Sequence, residues 1–73
     1  MSYRRIRVER ESRGWSQEYV GNLIGITKQS LSAIERGDTT PSYKVLCDLE
    51  RLFNLSHRDL LKQVDAEQDA DGR

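Results

Sequence analysis

Apolar residues recur along this chain at helical intervals. Val20, Leu23 and Ile24 stand at i, i+3, i+4, and Leu31 with Ile34 repeats the three-residue step just beyond Gly25. Leu46, Leu49 and Phe53 form a longer stripe with Tyr43 and Val45 beside it. Leu60, Leu61 and Val64 close the series, and Tyr3, Ile6 and Arg10 open it along one face, with Val8 off that stripe. The punctuation between stripes agrees with helices. Gly14, Gly25 and Gly37 stand where helices must end. Ser16 and Thr27 stand where a hydroxyl can accept from a free amide of the next turn. Pro41 fits the first turn of a helix, where its missing N–H costs nothing. Ser56 with Asp59 reads as a capping box. The pattern predicts an all-α fold, a compact bundle of five short helices over 3–13, 17–24, 27–36, about 41–53 and 57–64.

The densest information lies between Gln17 and Gly37. Gly25 can enter the left-handed region that ends one helix and turns the chain sharply, and Ile26 follows as a plug into the angle between two helices. Gly21 lies mid-helix, where glycine costs about 1 kcal/mol against alanine; a small residue there fits a close crossing. Two short helices joined by so tight a turn make a helix-turn-helix, whose second helix enters the DNA major groove. The residues Ser16-Gln17-Glu18-Tyr19-Val20-Gly21, Gly25-Ile26-Thr27, Ser30-Leu31-Ser32 and Ile34-Glu35-Arg36-Gly37, with Pro41-Ser42 and Leu46…Leu49 downstream, resemble the phage-repressor and Cro-like (Xre-type) family. The resemblance covers roughly residues 3–63 and implies a lambda-repressor-like DNA-binding domain. The chain departs from the family pattern at Glu9 and Glu50, where apolar residues are usual, and at Trp15, where leucine is usual.

With Leu31 and Ile34 facing inward, Lys28, Gln29, Ser32 and Ala33 face outward. Lys28 can donate to guanine O6/N7 and Gln29 can pair bidentately with adenine N6/N7; Ser32 can reach a base or a phosphate, and the Ala33 methyl can pack on a thymine methyl. The rival for all four is an ordinary solvated helix face. Gln17, at the start of its helix, is placed to meet a phosphate, and the resemblance implies that it clamps the DNA backbone. Asn22, Thr27, Ser30, Arg36 and Lys44 are further candidates for backbone contacts. The resemblance also implies an ion pair between Arg10 and Glu35, structural in role, since a half-buried carboxylate without a partner is costly. Phe53, Leu55, Leu60 and Leu61 are candidates for a dimer surface or for completing the core. Cys47 is expected to be a small buried or half-buried hydrophobe, and His57 to be solvated.

Composition narrows the field. Seventy-three residues allow one domain with a small core. Net charge is zero, but unevenly spread. Residues 1–64 hold eleven Lys/Arg and eight Asp/Glu, a net +3, whereas 65–73 hold one Arg and four acids, a net −3. The sequence therefore divides into a mildly basic DNA-binding domain, 1–64, and an acidic tail, 65–73, expected to lack order. One cysteine cannot form an intrachain disulfide, and no Cys/His cluster has metal-ligand spacing. No nucleotide loop or nucleophile–base pair stands out, so no enzyme and no cofactor is expected. Without an apolar run near the length of a membrane span, and without a signal peptide, the reading is a cytoplasmic protein. Its partners are expected to be double-stranded DNA and a second copy of itself. The second hypothesis is a helix-turn-helix scaffold serving mainly as a protein-interaction module, of antitoxin or antirepressor-binding type. The balanced charge keeps that reading open, and a DNA affinity that falls with salt argues against it.

Overall fold

The computed structural model describes residues 2–65. Five helices follow in order: α1 (Arg5–Ser12), α2 (Gln17–Ile24), α3 (Lys28–Arg36), α4 (Tyr43–Phe53) and α5 (His57–Leu60). Strands β1 (Ser2–Arg4) and β2 (Gln63–Asp65) flank them and pair antiparallel, with Ser2 opposite Asp65, Tyr3 opposite Val64 and Arg4 opposite Gln63. The expected acidic tail lies, beyond Asp65, outside the described residues.

The five-helix, essentially all-α bundle is as expected; the small sheet only shifts the helix bounds at its two ends. Tyr3 belongs to β1, so α1 begins at Arg5 rather than Tyr3. The α5 helix stops at Leu60 instead of running to Val64, because the N–H groups of Leu61 and Lys62 close on His57 and Asp59 carbonyls and the chain then extends into β2. Arg5 N–H to Lys62 O, at 2.9 Å, joins the two ends just inside the ladder. Three residues are too few for a period of two to be told from a period of 3.6. Pro41 is also displaced from its expected place. Ser42 is the N-cap of α4, accepting from Val45 N–H at 3.3 Å, and the buried Pro41 precedes it.

The core is Ile6, Val20, Ile24, Leu31, Ile34, Leu49, Phe53 and Leu60, with Trp15, Ile26, Val45, Leu52, Leu55 and Leu61 packed against it. Phe53 and Leu60, at 2% and 0% exposure, take the core place that the sequence left open beside a dimer surface. Each closes the end of a helix over the same apolar interior, so neither is free to meet a second copy. Leu23 leaves the expected stripe for solvent. The buried face of α2 holds Val20, Gly21 and Ile24, and Leu23 sits about 100° away from its centre on a helical wheel. Tyr43 is likewise exposed, and Leu46 is half-buried.

The departures at positions 9 and 50 are taken up by polar partners. Glu9 accepts from Arg13 Nη1 at 2.9 Å and Arg5 Nε at 2.8 Å. The Arg13 hydrogen bond, aided by Arg5 against the cost of burial, holds its carboxyl below the usual range. Arg13 in turn lies over the Phe53 and Trp15 rings, 5.0 and 5.7 Å from their centroids, so an acidic residue here orients a guanidinium that covers the aromatic edge of the core. Glu50 meets His57 Nδ1 at 2.9 Å and accepts from His57 N–H at 2.6 Å. Those two bonds lower its pKa and tie the outer face of α4 to the start of α5.

Candidate nucleic-acid interface

The pair α2–α3 is assembled by local chemistry. Ser16 caps α2 by accepting from Tyr19 N–H at 3.0 Å. Gly25 ends the helix at φ 78°, in the left-handed region open to glycine. Ile26 N–H then returns to Gly21 O at 2.9 Å. A Cβ on Gly21 would stand 2.7 Å from the Ile26 carbonyl oxygen, so the turn itself, rather than the second helix, requires glycine mid-helix. Thr27 caps α3, accepting from Ser30 N–H at 3.0 Å and donating to Ser30 Oγ at 3.0 Å.

Leu31, Ile34 and Glu35 turn α3 inward. Glu35 is 2% exposed and Arg10 8%. Arg10 grips the carboxylate with Nε at 2.7 Å and Nη2 at 3.1 Å, while its Nη1 donates to Trp15 O at 2.8 Å. Gln17 Nε2 supplies a third donor to Glu35, at 3.0 Å. The first residue of α2 is thus fixed against α3 by its amide, leaving its carbonyl oxygen and backbone N–H at the helix N-terminus.

On the outer side, Gln17, Lys28, Gln29, Ser32 and Arg36 line one shallow depression of about 180 Å³. Lys28 and Gln29 are exposed, and neither side chain engages a partner among the described residues. Arg36 folds back, with Nε on Asp38 at 2.9 Å and Nη1 on the Ser32 hydroxyl. Ala33 and Ser32 are half-buried. Ala33 joins Gln29, Ser30, Thr39 and Thr40 along a second groove, of about 420 Å³, between α3 and the start of α4. Asn22 and Lys44 are not brought to this face. They line a different groove with Asp48, which holds Lys44 Nζ at 3.0 Å. Two contributions escaped sequence reasoning. Arg4 reaches the C-terminal end of α3 from β1. Asp38 engages Arg36, and its place beside the conspicuous Arg36-Gly37 was a usable signal.

A family model described as helix-turn-helix matches residues 6–60. The chain belongs to the Xre/Cro-type helix-turn-helix family. Among curated relatives of this helix-turn-helix protein, all from Bacillus subtilis strain 168, the HTH-type transcriptional regulator YgzD is 36% identical over 47 residues, covering 64% of this chain and 71% of YgzD. YazB, named likewise, is 37% identical over 57 residues, covering 78% and 83%. The SPbeta prophage-derived regulator YonR is 34% identical over 67 residues, covering 92% of this chain but 62% of YonR. No solved structure matches the chain at comparable significance. The family is one of DNA-binding transcriptional regulators. No helix among the described residues is long and apolar enough to cross a membrane.

Proposed function

We propose that this chain is a sequence-specific transcriptional regulator of the repressor or Cro type, acting in the cytoplasm, that inserts α3 into the major groove. The observation that carries the proposal is the pair Lys28–Gln29, exposed and uncommitted at the N-terminal end of α3, where groove-reading helices place their base contacts. Lys28 would donate to guanine and Gln29 would bracket adenine. Ser32 and Ala33, one turn on, would contact the neighbouring base edge or thymine methyl. Gln17, Ser30 and Arg36, beside these residues, and the cap Thr27 would hold phosphates; Asn22 and Lys44, on a separate groove, are not part of this set. Phosphate contacts would supply most of the affinity and make it salt-dependent.

One domain of 1–64 offers a limited interface, so two copies would bind a roughly palindromic operator with half-sites about 34 Å apart. The half-buried Leu55 and Leu61 are the remaining members of the candidate dimer surface. The acidic residues after Val64 would lower non-specific affinity for DNA. Selection of bound sites from a random duplex library tests base preference and half-site spacing together. Gln29→Ala should relax preference at one base position, with a loss of about 1–3 kcal/mol there. Gln17→Ala should weaken all sites alike. Equal losses from both on every sequence would contradict these roles.

A further inference from the structure

We infer that the β1–β2 ribbon positions the recognition helix, and that Arg4 is a positioning residue for base selection; this rests on the base-reading role proposed for α3. Arg4 occupies the N-cap position of α1 but makes no capping bond with its side chain. The side chain crosses to α3 instead. Its Nη1 donates to Thr39 O at 2.7 Å and to Ile34 O at 3.3 Å. Ile34 O belongs to the last turn of α3, where it also accepts from Gly37 N–H at 3.1 Å and where a cation is favoured. Arg4 therefore joins the end of the recognition helix to the loop that leads into α4. Across the ladder, Gln63 Nε2 lies 3.0 Å from the point a Cβ on Gly37 would occupy, so β2 abuts the C-cap of the same helix. The ribbon lies outside residues 6–60, the part of the chain the family model matches.

Arg4 Nε is buried without a hydrogen-bond partner among the described residues. An orphaned buried donor is unfavourable, so stability alone is a poor explanation for an arginine here. A geometric role explains it better. The α3 helix spans roughly 13 Å, and a tilt of about 10° about its C-terminal end would move Lys28 by roughly 2 Å. That displacement exceeds the narrow range of donor–acceptor distances over which a hydrogen bond persists. Base contacts would be lost, while longer, more adaptable contacts to phosphates would survive.

The test compares Arg4→Met and Arg4→Lys with the unaltered chain, all shown by circular dichroism to be folded at the temperature used. Affinity is measured for a selected duplex and for a random-sequence duplex, and amide hydrogen exchange is followed at Gly37 and Asp38. Arg4→Met should lower the selected-to-random affinity ratio about tenfold. It should also speed exchange at those two amides while protection in α1 and α4 is kept. Arg4→Lys, retaining the charge and a donor, should recover part of the ratio. An unchanged ratio in a chain that does discriminate, or equal losses on both duplexes with unaltered exchange, overturns the inference. If the unaltered chain does not discriminate, the base-reading proposal fails, and the exchange rates alone decide whether Arg4 positions α3. Should Arg4→Met not fold, Gln63→Ala carries the same expectation from the opposite strand, with a smaller loss.

Discussion

Replacing Glu35 by alanine should destabilise the domain by about 3–5 kcal/mol, the usual consequence of removing one partner from a buried ion pair. The carboxylate receives both Arg10 donors and the Gln17 amide, and is almost wholly inaccessible. Its removal leaves a guanidinium at 8% exposure with only Trp15 O and, at 3.7 Å, the Glu11 carboxylate, and unpairs Gln17. Small domains are stable by only about 5–15 kcal/mol, so much of the total would disappear. Urea unfolding should give a lower midpoint at an unchanged slope. The double variant Arg10→Met/Glu35→Leu should regain most of the loss, because apolar pairs of similar volume replace buried ion pairs with little or no penalty. A loss under about 1 kcal/mol for Glu35→Ala would be incompatible with a buried pair, since that is the size expected of exposed pairs.

Leu31→Ala should cost about 2–5 kcal/mol, as for other large-to-small changes in closed cores. Leu31 is fully buried on the inner face of α3. Its contacts hold the helix against the rest of the core, and the slightly better helix propensity of alanine returns only a few tenths of a kcal/mol. The change leaves Lys28 and Gln29 untouched. Stability measured by urea unfolding should therefore fall steeply, while DNA affinity under conditions where the variant is folded should stay near that of the unaltered chain. Loss of affinity without loss of stability would mean that Leu31 is not seated as described.

Much of this architecture is legible in the sequence, because its signals are local. Gly25 followed by Ile26-Thr27 identifies a helix end, a turn and a cap within three residues, and the stripes on α3 and α4 are strongly one-sided. The misreadings occur where a distant partner decides. Tyr3 and Val64 face each other across a ribbon that neither end of the chain foreshadows. Leu23 follows helical spacing, yet the direction of the buried face is set by Gly21 meeting the turn. Phe53 and Leu60 carry no mark that distinguishes core from interface. In the candidate interface, residue type and helix register placed Lys28 and Gln29 outward, and the resemblance to the family, not the register alone, nominated them as base readers. The inward donation from Gln17 and the reach of Arg4 depend on three-dimensional pairing and were hidden. Glu9 and Glu50 illustrate the same limit. Each replaces an apolar residue usual in the family, and each is explained only by a cation or an amide brought beside it.

The most direct measurement is an anisotropy titration of the intact chain against its selected duplex and a scrambled duplex, each at two salt concentrations. Affinity should fall with salt on both. The selected duplex should be bound about a thousandfold more tightly or better, and Lys28→Ala/Gln29→Ala should bring the two duplexes together. Equal, weak binding to both duplexes with no dependence on salt would contradict a groove-reading role for α3.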